Sequence, residues 1–502
     1  MRPIIATVVL GLLAYGACGA DYYVSIQGDD AAAGTPTAAA WRTIGRANAA
    51  LKAGDTVHIR GGVYEDAIAP QADGTEGRPI VYRAYDGEPV VLTGVRLAVS
   101  MQDRAHVVID GIHCRAVRQF VILDNSHHIE IANCRFEGST ERGGWVNGVV
   151  LRNGSHHNRI SRCWIGRVGY STRNDDIGGT MYIGDDSHRN VVEHCTLACG
   201  GHHVLQIVSD HNIIRNNYFH NENWMEAPHR AATGGMAGNR NVIIEGRGGW
   251  NVVEGNVIAF SGVPPDQDGS SGMSVRTPHN IIRRNIFHDN DMAGLNVYSS
   301  SRRAEVRSNR IYHNVFFRNG HAAMVTFEPF LSGLSLSQHG QGAIAGVSVV
   351  NNLFWRNRNG VALSFYRCSR ADQAVRGNWE EEGDPLFLNV GVPAHPLQPG
   401  VLDFRLHPQS PCIDAGEFLT RTAAPGSGTA IPVEDAGFFI DGYGAVEGDR
   451  VQLEGQAQEL RIRQVDYEAN VLHVDAPTAW QAGQGVSQPF GGLGPDIGLF
   501  EH

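Results

Sequence analysis

A chain of 502 residues with 41 Lys and Arg against 52 Asp and Glu has a formal net charge of −11, which excludes the basic footprint of a nucleic-acid binder. Charged residues make up only 19% of the chain and glycines number 61, the composition of a large β protein with many turns and an extensive core. Beyond the first twenty residues no apolar run approaches the roughly 18 residues that span a bilayer as a helix.

Residues Met1 to Ala20 hold one Arg, an apolar stretch (IIATVVLGLLA) and small residues before Asp21, the pattern of a secretory signal cleaved after Ala20. Cys18 would suit a lipoprotein, but Tyr15 stands where such signals place Leu, so a secreted or periplasmic protein is expected. Residues 21–100 read as an N-terminal cap and first coils. A strand at Tyr22–Ser25 leads to a helix that Thr43 can cap and that ends at Leu51, and Gly54-Asp55 turns the chain into a strand at Val57–Arg60. A helix over the open end of a strand solenoid hides apolar residues and unpaired backbone.

From 101 to 424 one pattern returns: VVEHC (191–195), IIRNN (213–217), VVEGN (252–256) and IIRRN (281–285). Its last residue can be followed as Cys134, Cys163, Cys195, Asn217, Asn256, Asn285, Asn314, Asn352 and Asn378, at spacings of 22 to 39 residues. A shortest coil near 22 residues, short runs of period-2 alternation and surplus length in loops predict an all-β, right-handed parallel β-helix. Asn at one place in every coil stacks by bonding the next coil's backbone. Cys134, Cys163 and Cys195 replace it as stacked buried thiols rather than bridges.

The second apolar run of each coil alternates so that Met181/Ile183, Leu205/Ile207, Val242/Ile244, Met273/Val275, Leu295/Val297, Val325/Phe327 and Leu363/Phe365 face inward. The outward set is Tyr182, Gln206, Glu245, Ser274, Asn296, Thr326 and Ser364, with Arg276, Tyr298, Glu328 and Tyr366 in an adjacent column. Arg, Tyr and Glu in register, flanked by long loops at 220–240, 261–272 and 328–346, describe a groove able to hold several sugar rings. Asp266 and Asp268 in the second loop suit a cation or plain solvation.

Residues 425–490 alternate strongly (DRVQLEG, ELRIRQVDYEANVLHVDAP) and read as a small β-barrel or sandwich insert. The insert is expected to cap the lower end of the solenoid rather than to bind sugar. Residues 491–502 are expected to supply the closing strand.

WRTI, LKAGDTVHIRGGVY and GTEGRPIVYRAYDGEPV near the N-terminus, with DFRLHPQSPCIDAG and GPDIGLFE near the end, resemble the chondroitinase B-like and alginate lyase-type β-helix polysaccharide lyases. The resemblance implies a lyase cleaving an acidic, uronate-containing polysaccharide by β-elimination. In that family a Lys lies four residues before a coil Asn, and an Arg ends the next coil's strand. Here those positions hold Arg247, four before Asn251, and Arg276. The family's calcium carboxylates fall approximately on Arg240 and Val242, so no cofactor is assured and a Ca²⁺ requirement is left open. The sole lysine, Lys52, lies in the cap, which excludes a lysine base in the groove.

Elimination needs a cation on the uronate carboxylate, a base at C5 and an acid for the leaving oxygen. Arg276 suits the first task, with Arg247 assisting, as some pectate lyases are thought to use an arginine base. His202, expected to point outward while His203 points inward, is a candidate base beside Tyr298 and Tyr366. Glu245, Asn296, Glu328, Gln206, Tyr182 and Tyr366 are candidate substrate contacts. His127, His156, His188, His211 and His279 sit in the turn before a coil's first strand and read as structural. The alternatives are hydrolysis through Asp175-Asp176 or Asp185-Asp186 beside GGHH (200–203), uronate C5 epimerisation, or glycan binding without catalysis. The expected partner is the polysaccharide itself, with the protein a monomer.

Overall fold

The computed structural model describes residues 19–140, 146–168, 178–200, 202–221, 240–246, 248–262, 270–299, 305–321, 328–392, 394–398 and 400–502. Three parallel sheets of thirteen, twelve and ten strands run its length, each strand paired with its counterpart one coil away. The first sheet runs from Asp21–Val24 to Ala374–Arg376 and the second from Gly62–Tyr64 to Trp379–Glu380. The third runs from Leu97–Gln102 to Leu363–Tyr366. This is the parallel β-helix that the repeat predicts. The coils begin at Asp21, well before residue 101, because Asp21–Val24 already pairs with Thr56–Ile59.

One side chain of each alternating pair turns into a continuous apolar core, where Val192, Ile214, Val253, Ile282, Ile311 and Val349 stack coil upon coil. The Asn ladder closes as expected. Asn256 Oδ1 accepts from Asn217 N (2.9 Å) and Asn217 Nδ2 (3.0 Å), while Asn256 Nδ2 reaches Asn285 Oδ1 (3.0 Å) and Ile214 O (2.9 Å). Each amide thereby satisfies a turn that would otherwise bury unpaired backbone. Two further ladders, not read from the repeat, run through Asn158, Asn190, Asn212, Asn251 and Asn280 and through Asn290, Asn319 and Asn357. Cys134, Cys163 and Cys195 are buried free thiols, with Cys195 Sγ 3.4 Å from Cys163 N.

The cap helix spans Ile44–Ala50, and Thr43 Oγ1 accepts from Arg46 N at 3.1 Å. Its Ile44 and Ala47, with Leu51 just beyond, pack on Val24 and Val57 over the first coil. Among the described residues no helix is long and apolar enough to cross a membrane.

Two expectations for the C-terminus are corrected. The antiparallel six-stranded sheet starts at Thr420–Arg421 and ends at Gly485–Ser487, and it does not cap the lower end. It lies on the outer face of the first sheet, where Phe438, Phe439 and Tyr443 cover Val191, Ile213, Val252 and Ile281. Both apolar residues of each VV or II pair are buried, one in the solenoid and one under this sheet. Residues 491–502 form no strand. They dock irregularly, with Gly498 N on Asn351 O (2.9 Å) and Ile497 packed among Val315, Phe317 and Leu353.

Candidate active site

On the third sheet the register aligns Tyr182, Gln206, Ile243, Ser274, Asn296, Ser335 and Ser364. Two positions further along each coil come Glu245, Arg276, Tyr298, Ser337 and Tyr366, since Ile244, Val275 and Val297 are paired one step earlier. Glu245 therefore belongs to the column of Arg276, and Ile243 fills the place expected for it. Glu328 is likewise misplaced by the alternation. The strand of its coil is Leu334–Gln338, so Ser337 and not Glu328 follows Tyr298. Glu328 opens a 3₁₀ turn at Glu328–Phe330, and its side chain lies outside the described residues, as do Thr326 and Arg247. Asp175, Asp176, Asp266 and Asp268 also lie outside them, with most of the loops 220–240 and 261–272.

Stacked strands lie about 4.8 Å apart, close enough for long side chains on successive coils to join. Gln206 Nε2 donates to Glu245 Oε1 at 2.7 Å, and Arg276 Nη1 donates to Glu245 Oε2 at 3.0 Å. The Arg276 guanidinium lies 4.8 Å above the Tyr298 ring, which stacks on His339 at 4.8 Å. His339 meets Phe330 at 5.6 Å and Tyr366 at 5.0 Å. Arg276 is thus gripped from the side by a carboxylate and from below by a ring, so it is held in one pose. Its Nε is buried without a partner among the described residues, and so is Asn296 Oδ1.

Arg240, at the start of Arg240–Ile244, was not singled out as a groove residue and proves to belong to this group. Burial and the neighbouring Arg276 pull its guanidinium down to about 10, against the opposing pull of Glu245 and Tyr298. Burial, then Arg240, lowers His202 below the usual imidazole value, with Glu245 opposing. His202 is therefore neutral near pH 7, the form that accepts a proton. His203 is buried, as the alternation requires, and burial takes it down to about 3. Burial raises Tyr182, with Asp185 and Glu245 adding to the effect. His339 and Phe330 were also missed, because their coil takes its strand later than the repeat suggests. Only the gap between Asn314 and Asn352 hints at that extra length.

The arrangement sets two guanidinium groups against one carboxylate on a protein of net charge −11, a local cationic patch beside a neutral imidazole and two tyrosines. It does not fit calcium. Arg240 brings a cation where the resemblance calls for a carboxylate, and Val242 is buried in the solenoid core.

A model described as the Pel9A-like, right-handed beta helix region matches residues 22–237, and one described as a right-handed beta helix region matches 186–378. Pectate lyase PEL9 of Emericella nidulans is 29% identical over 155 residues, 28% of this chain and 38% of that protein. An uncharacterized protein of Bacillus subtilis (strain 168), YwoF, is 26% identical over 309 residues, 59% of this chain and 63% of that protein. The chain spans less than two thirds of the length of either relative. The crystal structure of pectate lyase Pel9A superposes with a TM-score of 0.52 at 15% identity, covering 82% of this chain and 95% of that one, a likeness of fold. The chain is a right-handed parallel β-helix protein, similar over residues 22–237 to the Pel9A-like beta helix region.

Proposed function

We propose that this protein is an exported lyase that cleaves an acidic, uronate-containing polysaccharide by β-elimination in the groove of the third sheet. The observation that carries the reading is the Arg276 constellation. A guanidinium fixed by Glu245 and Tyr298, with a second guanidinium from Arg240 close by, forms a cationic centre on an acidic protein. A uronate carboxylate placed there would gain charge-assisted hydrogen bonds, and withdrawal of its charge acidifies the C5 proton. His202, neutral and beside the same charges, is the base we assign, and to Tyr298 we assign the return of a proton to the leaving oxygen. Gln206, Asn296, Tyr182 and Tyr366 would orient sugar hydroxyls along the columns. The pectate lyase among the relatives supports the reaction class.

The test is absorbance near 235 nm with a panel of polyuronates and glycosaminoglycans, with calcium and with chelator. Arg276→Ala is expected to lower kcat by about 10²–10³-fold, the loss typical of removing one charge-stabilising donor. Arg276→Lys, which keeps charge but loses the fork, should recover part of it. Full activity in Arg276→Ala, or new reducing ends without an unsaturated product, overturns the reading.

A further inference from the structure

The turns that return the chain from the third sheet to the first carry a feature the groove does not use. Two positions before the aligned strand residues Val108, Glu130, Arg159, Val191, Ile213, Val252 and Ile281 stand His106, His128, His157, Arg189, His211, Trp250 and His279. All seven are in the left-handed region, with φ from 52° to 61°. The residue before each builds a second column, in which His127, His156 and His188 follow one another on successive coils. The rings stack: His106 on His128 at 4.7 Å, His128 on His157 at 5.2 Å, and His127 on His156 at 4.9 Å. Within a coil the two columns touch, His127 Nδ1 lying 2.8 Å from His128 Nδ1.

At the N-terminal end of this array the nitrogens of His106, His127 and His128 converge to within 4.8 Å of one another, the one such group of His, Cys, Asp or Glu among the described residues. We propose that these three imidazoles bind one divalent transition-metal ion of the zinc class and so clamp two successive coils. Three nitrogen donors without a carboxylate cage select zinc, copper, nickel or cobalt over calcium and magnesium. Ligand nitrogens about 2.0–2.1 Å from a tetrahedral ion stand roughly 3.3 Å apart. The His127–His128 pair therefore opens by about 0.5 Å, and His106 swings in by no more than about 1.5 Å. In the 2.8 Å contact one Nδ1 donates to the other. The ion takes that place once both rings carry their proton on Nε2. His106 and His127 are half-buried and His128 is exposed, which gives an ion a path from solution. A water completes the fourth position. Asp73 is engaged by Arg104 Nη1 (3.0 Å) and Ala105 N (3.1 Å).

The experiment is titration of the tag-free full chain with Zn²⁺ after exhaustive chelation, read by calorimetry and by metal content after dialysis. One ion per chain is expected. Affinity should fall at least about tenfold in His106→Ala and in the His127→Ala/His128→Ala double variant. It should persist in His156→Ala/His157→Ala, with circular dichroism unchanged throughout. A wild-type chain that retains no zinc, a double variant that binds as well as wild type, or loss confined to the His156/His157 variant overturns the assignment. If the variants fail to fold, X-ray absorption of the zinc-loaded wild-type chain decides. Three imidazole ligands support the site, and fewer refute it.

Discussion

Arg283 joins the solenoid to the C-terminal sheet, and its replacement offers a sharp test of that joint. The side chain is 2% exposed yet meets two carboxylates. Its Nε lies 2.7 Å from Glu254 Oε2, its Nη1 and Nη2 lie 2.7 Å from the two oxygens of Asp449, and Nη1 reaches Tyr312 Oη at 3.0 Å. Arg283→Met keeps much of the volume but strands Asp449 without its cation and leaves Glu254 only the weaker pull of Arg215 and Arg284. Breaking one buried pair costs about 3–5 kcal/mol, mostly from the charge left behind. One stranded carboxylate with a second weakened beside it places this variant at about 4 kcal/mol. Asp449 cannot simply turn to water, because its Oδ2 also accepts from Ile440 N at 3.0 Å. The triple variant Arg283→Met/Glu254→Gln/Asp449→Asn removes the charges together and should recover most of the loss. Urea unfolding followed by far-UV circular dichroism, with limited proteolysis of the C-terminal sheet, separates undocking from global unfolding. A single variant within about 1 kcal/mol of wild type, or a triple variant no better than the single, would refute the reasoning.

Asn256→Ala removes a fully buried amide and leaves Asn217 N without its acceptor and Asn217 Nδ2 one bond short, at a cost of about 2–6 kcal/mol from about 1–3 per unsatisfied group; a denaturation shift under about 1 kcal/mol would contradict the ladder's role. Glu193 and Glu254 are held below the ordinary 4.5, since Arg159 and Arg215 outweigh burial for the first and Arg283 for the second. Their stabilisation is fully present above pH 4.5 and lost as pH falls through the lowered folded values, so thermal midpoints should drop below pH 4.5 and drop less in Glu193→Gln. With burial and Arg240 keeping His202 below 6.5, kcat/KM on the responsive substrate should lose activity only below pH 6.5; an acid limb left unchanged by His202→Gln would remove it as the base.

The candidate site was only partly legible, and particular residues show why. Arg276, Tyr298 and Tyr366 could be placed because their coils repeat the Gly-apolar pattern without a shift. Glu245 is one column out because the outward place between the inward Val242 and Ile244 belongs to an apolar residue, Ile243, which the register pairs with Gln206. Glu328 was lost because 323–328 imitates the alternating run that Leu334–Gln338 actually supplies. Arg240 is read from the sequence only as a departure from the calcium carboxylates, because it stands at a strand's first position and no local pattern tells that its charge reaches Arg276 across coils.

By itself the sequence determined the solenoid, its buried thiols and its Asn ladder, because each depends on short-range alternation and on a residue recurring once per coil. It also held the alternation of Glu193, Arg215, Glu254 and Arg283 at the third place of each repeat, which register turns into a charge ladder on the first sheet. Where the C-terminal sheet docks, which side chains meet at Arg276, and which histidines converge were decided only by the tertiary structure. Those contacts join residues a coil or more apart through loops of unequal length, so the distances follow from coil register and not from any spacing along the chain.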